Sequence, residues 1–485
     1  MKAGEQLFDA GSLKPLGARP RTGDPLVCAE GAVHGHRVVA AVTDFRLLGE
    51  LIATAAERAV RERLPLLVVA VSGGAGTQEV TVSPTQLARA AQALGELDRE
   101  GILTLAVISD PPYGEGVASI AGLFDVIVAE SGSGSDWDSE LPDGSRTAEY
   151  LRERGLVDVL RPRAELRDTL ARLLATAAVP ASPAVRAEGT GAPSARAPLI
   201  RDPAELPESA VKETVRRARH LGRPTTLDYF GRLFTGFEEL RGDRGGSDCP
   251  SIVGGPARLD GVPVMVLGHQ KGHPGEAPRE RGFGTTTPAG HRKAARLLRL
   301  AGKLGLPVIT LVDTPGTFPG LETGEQGQGQ AVVIAESIRL MTGLPVPVVT
   351  LVTGEGGSGG ALALAVADRV LVCANCVYSV ISPEGCAALL WDDAATAPGT
   401  AEALRIDAGA LLRLGIADAV VPEPADGAHT DPALAADYVH AALASVLDEL
   451  RPMPVADLVA ARYDRFRAYG AVESFMNATE EAMQS

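Results

Sequence analysis

Val349-Thr-Leu-Val-Thr-Gly-Glu-Gly-Gly-Ser-Gly-Gly-Ala-Leu-Ala-Leu-Ala-Val-Ala-Asp368 carries three structural signals in series. Val349 to Thr353 is apolar and β-branched, the pattern of a strand buried on both faces, and it ends at Thr353. From Gly354 to Gly360 the chain is mostly glycine, which permits turns and close backbone approaches that side chains forbid. A helix follows from near Ala361, where alanine and leucine alternate. Strand, glycine turn and helix form the repeating unit of α/β folds, whose ligands sit beyond the carboxyl ends of the strands. The glycines are therefore where chemistry is sought.

The unit recurs. Leu306-Pro-Val-Ile-Thr-Leu-Val-Asp-Thr-Pro-Gly316 is matched by Leu64-Pro-Leu-Leu-Val-Val-Ala-Val-Ser-Gly-Gly74, about 240 residues earlier. In each half a second apolar strand follows, Ile102-Leu-Thr-Leu-Ala-Val-Ile-Ser109 and Val346-Pro-Val-Val-Thr-Leu-Val-Thr353, with helical segments from Ser83 to Glu100 and from Gly329 to Thr342 between them. Each half also opens on a hairpin with a glycine turn, Asp24 to Val42 and Cys249 to Val266. These repeats predict an α/β fold of duplicated ββα units. Residues 177–208 are rich in Ala, Pro, Gly and Ser without any period, as in a linker. The expected partition is a first domain over 1–175, a linker over 176–208 and a second domain over 209–485.

Composition limits what such a fold can do. The chain has 485 residues, 45% hydrophobic and 22% charged, so it has room for two or three domains with large cores. A net charge of -15 argues against general affinity for nucleic acid or anionic lipid, and any anion site must be local. The cysteines number five, an odd count that fits reduced thiols and a cytoplasmic location. Cys373-Ala-Asn-Cys376 lacks the second pair a zinc site needs and reads as buried structural thiols. The longest apolar runs, such as Leu64 to Val71, fall far short of a membrane span, and no signal peptide is evident at the N-terminus, so no membrane partner is expected.

At the main glycine turn, the N–H groups of Gly356 and Gly357 could approach a ligand oxygen closely, with a helix N-terminus beyond them. That is the construction of an oxyanion hole, although a tight turn serving only helix–sheet packing has the same spacing. A phosphate loop is excluded for want of its lysine. Thr314, Pro315 and Gly316 read as a cavity wall rather than as a nucleotide-binding element. Ser72, Gly73 and Gly74 hold the equivalent place in the first half. Asp110-Pro-Pro-Tyr-Gly-Glu-Gly116 stands where the main glycine turn would recur, so two opposed anion sites are expected. Between Gln270 and Lys293, Lys271, Arg279, Arg281, Arg292 and Lys293 are candidates for a phosphate or carboxylate, a solvated charged face being the alternative. Ser358 has no assignable histidine or acid, which disfavours a serine hydrolase.

With these residues in view, the sequence resembles the carboxyltransferase of bacterial acetyl-CoA carboxylase, with β-like and α-like subunits fused. Leu227 to about Gly470 resembles the α subunit through Phe237-Glu-Glu-Leu-Arg-Gly-Asp-Arg244, Ile252-Val-Gly-Gly255, Gly268-His-Gln-Lys-Gly272, Asp313-Thr-Pro-Gly316, Gly354-Glu-Gly-Gly-Ser-Gly-Gly-Ala361 and Tyr378-Ser-Val-Ile-Ser-Pro-Glu-Gly-Cys-Ala387. The first half resembles the β subunit more loosely, through Phe8-Asp-Ala-Gly-Ser12, Ser72-Gly-Gly-Ala75, Gln78-Glu79 and Thr147-Ala-Glu-Tyr-Leu-Arg-Glu-Arg-Gly-Leu-Val-Asp158. The resemblance implies two crotonase-like domains of the ClpP/crotonase superfamily. It also implies transfer of a carboxyl group from carboxybiotin on a separate carrier protein to the α-carbon of an acyl-CoA or carrier-protein thioester, giving a malonyl-type thioester.

By this likeness Gly356 and Gly357 face carboxybiotin, while the amides of Gly114 and Glu115, beside Tyr113, face the thioester enolate. Ser72, Gly73, Gly74, Thr314, Pro315, Gly316, Lys271 and Arg292 line the substrates. In such a mechanism the biotin anion left behind can take the α-proton, so no side-chain base is required. A biotin carboxylase and a biotin carboxyl carrier protein are expected as separate partners, and a homo-oligomer is expected. The β subunit's four-cysteine zinc ribbon is missing, and no zinc is expected. Three departures fall on the thioester side: Leu47-Leu-Gly-Glu-Leu51 replaces a glycine-rich turn, Gly74-Ala-Gly-Thr-Gln-Glu79 replaces Gly-Ala-Arg-Met-Gln-Glu, and Pro112-Tyr-Gly-Glu115 replaces Thr-Thr-Gly-Gly. Alternatives from other classes are a biotin-independent decarboxylase of malonyl-type thioesters and a non-catalytic assembly subunit.

Overall fold

The computed structural model describes residues 6–16, 27–44, 48–72, 83–109, 121–132, 147–177, 199–207, 210–274, 279–316, 329–391, 400 and 404–469. They fall into two compact units. One holds residues 1–189, 234–267 and 286–306, and the other 190–233, 268–285 and 307–485.

In the first unit, β1 (Lys14–Pro15), β2 (Val27–Val33), β3 (His36–Asp44), β4 (Leu66–Ser72), β5 (Thr104–Ile108), β6 (Val126–Glu130) and β7 (Val159–Arg161) lie side by side in chain order. β1, β2 and β3 pair antiparallel, and β3 to β7 run parallel. The β2–β3 hairpin turns through His34 and Gly35, at φ 46° and 79°. β8 (Ile252–Leu259) and β9 (Val262–His269) turn likewise through Asp260 and Gly261, at φ 48° and 79°. Positive φ at both central residues matches the natural twist of a two-residue hairpin, which is how both echoed sequences come to fold alike.

Alternate residues of the parallel strands bury one face under helices. Val39, Ala41, Leu66, Val68, Ala106, Ile108, Ile127 and Ala129 pack with Ile52, Ala55, Ala56 and Ala59 of the Leu48–Glu62 helix and with Ala90, Leu94 and Leu97 of the Ser83–Arg99 helix. The intervening residues, including Val38, Leu67, Val69, Leu105 and Val128, are buried as well. Burial on both faces is why these strands read as unbroken apolar runs.

Segments 234–267 and 286–306 join this unit through buried charge. Asp158 is paired by Arg244 and Arg296, and Glu238 by Arg161 at 2.7 Å and Arg172 at 2.6 Å. On the Pro288–Leu304 helix, His291 is buried, and Nε2 has no hydrogen-bond partner among the described residues. Burial pushes its pKa down from 6.5 to about 4. The folded chain keeps this ring neutral while the unfolded chain protonates it below pH 6.5. The stability it preserves is complete above about pH 6.5 and is lost as pH falls toward 4, by about 3 kcal/mol in all. Urea titrations across that window are expected to show a shallower pH slope for His291→Leu than for the parent. Equal slopes would remove His291 as the cause.

In the second unit, β10 (Val308–Thr314), β11 (Val348–Gly357), β12 (Arg369–Cys373) and β14 (Ala419–Val421) run parallel, and β13 (Val377–Ser379) pairs with the last residues of β11. Every residue of β10 is buried, as is all of β11 before Gly357. Cys373 and Cys376 lie in this core, where burial pushes both thiols up, as expected of structural cysteines. No helix among the described residues is long and apolar enough to cross a membrane.

Candidate functional site

The carboxyl end of β11 departs from the sequence reading. The strand continues past Thr353 to Gly357, and the helix begins at Ser358 rather than near Ala361. Pairing explains the extension: Glu355, Gly356 and Gly357 lie opposite Val377, Tyr378 and Ser379 of β13, and Gly356 also lies opposite Thr314 of β10. The helix, Ser358–Leu362, is only five residues long, too short for the dipole that a longer one would bring. Ser358 itself takes φ 56°, a conformation rare for non-glycine residues and concentrated at functional turns.

Three glycines here are fixed by space. A Cβ on Gly354 would fall on the Asp313 carboxylate, one on Gly356 on the Tyr378 ring, and one on Gly357 on the Pro315 carbonyl, each well inside 3.0 Å. Beside them Gly316 takes φ 134°, and Thr314 Oγ1 accepts the Gly316 N–H at 3.2 Å. Gly357, Ser358 and Gly359 are half-buried and Pro315 is exposed. The turn therefore offers main chain, not side chains, to anything that binds it.

Charge lies around this turn in a closed set. Lys271 Nζ is 2.7 Å from Asp313 Oδ1 and 3.1 Å from Glu355 Oε2. Glu355 Oε1 also accepts from Arg219 Nε at 2.5 Å, and Arg219 reaches Glu384 at 2.6 Å. Burial alone would raise the Glu355 pKa, but the Lys271 and Arg219 charges outweigh it and hold the carboxyl below its usual range. For Lys271, burial opposes the charge, and Asp313 and Glu355 more than restore it. Arg223, itself buried, donates to the Thr353 carbonyl at 2.6 Å and pairs with Glu423 at 2.6 Å.

Thr314, Pro315, Gly316, Gly356, Gly357 and Lys271 are thus brought together. Arg292 lies on the Pro288–Leu304 helix of the first unit and pairs with Asp243 at 2.5 Å. Gly73, Gly74, Tyr113, Gly114 and Glu115 lie outside the described residues; Ser72 is described only as the end of β4. In the sequence Asp313 and Glu355 stand only as letters of family motifs, and nothing marks Arg219 or Glu384 as site residues. One signal was available: an acid inside a buried strand requires a buried cation. Which cation answers it is a long-range fact.

A build of this kind suits a ligand recognised by neutral or developing oxygen, since main-chain donors meet such atoms without a compensating charge. Residues 208–470 match the family model described as acetyl co-enzyme A carboxylase carboxyltransferase-like. The chain is 52% identical to the acetyl-coenzyme A carboxylase carboxyl transferase subunits beta/alpha of Parafrankia sp. (strain EAN1pec), covering 93% of this chain and 79% of that protein. It is 51% identical to the protein of the same description from Salinispora arenicola (strain CNS-205), over 94% and 83%. Among solved structures, the transcarboxylase 12S hexamer with methylmalonyl-coenzyme A bound superposes with a TM-score of 0.67 at 20% identity, over 91% of this chain and 89% of that one. A single-chain, multi-domain long-chain acyl-CoA carboxylase gives 0.66 at 17% identity, over 92% and 45%. The architecture is the α/β fold expected from the repeats, and the crotonase-like form is the one the family resemblance implies.

Proposed function

Because this chain belongs to the acetyl-CoA carboxylase carboxyltransferase family, with beta-like and alpha-like halves in one polypeptide, we propose that it moves a carboxyl group from carboxybiotin to an acyl-CoA. The product is a malonyl-type thioester, and acetyl-CoA is the first substrate to try. Carboxybiotin, when bound, supplies the activated carboxyl group. The observation that carries the reading in this chain is the turn at Gly354, Gly356 and Gly357, three positions without side chains, while the neighbouring Glu355 and Asp313 carboxylates are held by Lys271 and Arg219.

In this proposal the amides of Gly356 and Gly357 stabilise negative charge that develops on a bound oxygen, and Thr314, Pro315 and Gly316 wall the same space. Gly114 and Glu115, next to Tyr113, take the corresponding part for the thioester oxygen, with Ser72, Gly73 and Gly74 beside them. Arg292 is proposed as a substrate contact that must share its charge with Asp243. A side chain at 115 requires that its carboxylate turn away from the enolate, because like charge would oppose ionisation there. Fixed donors of this kind contribute about 3–4 kcal/mol each to the transition state. The partition into 1–175, 176–208 and 209–485, a separate biotin carboxyl carrier protein and biotin carboxylase, a homo-oligomer and a cytoplasmic location belong to the same proposal.

The test uses the full chain with malonyl-CoA and a biotinylated carrier, run in the reverse direction, and then forward with a biotin carboxylase and a panel of acyl-CoAs. Carboxyl exchange that requires biotin is the expected result. Release of CO2 from malonyl-CoA without biotin would replace the proposal with a decarboxylase, and silence with retained complex formation would leave an assembly subunit.

A further inference from the structure

We propose that Lys271 is a positioning residue for the Gly354–Gly357 turn, acting through Asp313 and Glu355, and that Arg219 ties the same turn to the Pro383–Trp391 helix. The inference deepens the carboxyl-transfer reading and, for its kinetic part, rests on it.

The starting observation is a mismatch in strand register. Val312 lies opposite Val352, and Thr314 lies opposite Gly356. One residue of β10, Asp313, therefore faces three of β11, Thr353, Gly354 and Glu355. Such a bulge re-aims the chain and leaves backbone groups without ladder partners, which must be satisfied some other way. Side chains satisfy them here. The Glu355 N–H donates to Asp313 Oδ1 at 2.9 Å, and the Thr353 carbonyl accepts from Arg223. Gly354 has no side chain because the Asp313 carboxylate occupies its place.

Asp313 can hold that position only while its charge is balanced, and Lys271 balances it. The Lys271 side chain is 18% exposed, and its ammonium spans Asp313 and Glu355, the carboxylates on the two sides of the bulge. A Cβ on Gly284 would stand 2.7 Å from the Asp313 carbonyl oxygen and 3.0 Å from Lys271 Cγ, so a side chain there would press on both members of the pair. Arg219 completes the balance, two cations for the two buried acids, and its other end grips Glu384 in the Pro383–Trp391 helix. A lysine so engaged is a poor ligand for a further anion, because binding one would strand both carboxylates. What it controls is the direction of the amides at Gly356 and Gly357, immediately after the bulge.

The experiment compares Lys271→Met, Lys271→Arg, Glu355→Gln and the Lys271→Met/Glu355→Gln pair with the parent enzyme. It reads kcat and KM together with hydrogen exchange of the peptide covering residues 353–358. For Lys271→Met we expect kcat to fall about 10²-fold, as when one aimed donor is lost, with KM for acyl-CoA moved less than about threefold. The 353–358 amides should exchange at least about tenfold faster while β12 stays protected. Lys271→Arg should recover part of both changes, and the double variant should be no worse than Lys271→Met alone, since both act through one bulge. If Lys271→Met fails to fold, Glu355→Gln alone must raise the exchange of that peptide. Raised KM with kcat kept would make Lys271 a substrate ligand and overturn the proposal. So would unchanged exchange at 353–358 in a folded variant. Should the parent enzyme lack carboxyl transfer, the function falls, and the exchange result still decides the role of Lys271.

Discussion

Gly357→Ala is expected to lower kcat/KM by about 10³, and Gly357→Val to leave no measurable turnover, with both proteins still folded. The cause is a collision with backbone. A Cβ at 357 would meet the Pro315 carbonyl oxygen and carbon and, at 2.8 Å, the Gly316 nitrogen, where no flexible side chain can give way. The two turns must part, and the wall formed by Thr314 to Gly316 moves away from the amides it faces. A displacement near 1 Å at aligned donors costs about 10²-fold in rate and outright loss of one donor about 10²–10³, so a fall of about 10³ corresponds to one donor lost. Gly359→Ala is the control, two residues along. Its Cβ would meet only the Ile334 side chain, Cγ2 at 3.4 Å and Cδ1 at 3.8 Å, and alanine suits the Ser358–Leu362 helix better than glycine, so turnover should persist with stability equal or slightly raised. Steady-state carboxyl transfer with thermal melts of all three variants checks this. Near-normal kinetics for Gly357→Ala would count directly against main-chain catalysis at this turn.

What the sequence could convey about this turn follows from which forces are local. The strands β4, β5, β10 and β11 are legible because burial on both faces writes itself as consecutive Val, Leu and Ile. The hairpins are legible because Gly35 and Gly261 sit at positions that require φ above zero. The end of β11 is not, because glycine has low strand propensity and only pairing with β13 extends the strand to Gly357. The bulge at Asp313 is invisible for the same reason: register belongs to a pair of strands, and neither sequence alone contains it.

The charges show the same division. Between Gln270 and Lys293 the sequence offers cations, and composition allows either an anion site or a solvated face. Several have a more specific fate. Lys271 serves Asp313 and Glu355, Arg292 serves Asp243, and the fully buried Lys293 serves Asp248 at 2.9 Å and the Ile252 carbonyl at 2.8 Å. Each partner is separated from its cation by forty residues or more, so the pairing exists only after the chain has folded. Sequence order puts segments 234–267 and 286–306 in the second half, yet they cluster with the first unit, where Asp158 and Glu238 pair with charges distant in sequence.

Arg462→Ala is expected to destabilise the second unit by about 3–5 kcal/mol, the cost of breaking a buried ion pair from one side. Arg462 is fully buried on the Val455–Ala468 helix, and its donors are all engaged. Nε and Nη2 reach Asp368 at 2.9 and 2.7 Å, Nη1 reaches the carbonyls of Met341 and Leu344 at 2.6 and 3.0 Å, and Nη2 reaches that of Val346 at 2.9 Å. Asp368 in turn accepts the Val348 N–H at 2.7 Å, so the arginine holds the first residue of β11 as the Asp313 cluster holds its last residues. Truncation would leave the buried Asp368 carboxylate without its cation and take the arginine's donors from the carbonyls of Met341, Leu344 and Val346. Lysine cannot replace the fork that meets both carboxylate oxygens. The pair Arg462→Met with Asp368→Leu should recover much of the loss, because the penalty lies in the stranded charge more than in the missing attraction. Urea titration of the single and double variants measures both, and carboxyl transfer by the folded fraction reports whether an anchor at one end of β11 is felt at the other. If Arg462→Ala melts with the parent, the helix is an appendage and β11 owes its placement to the sheet alone.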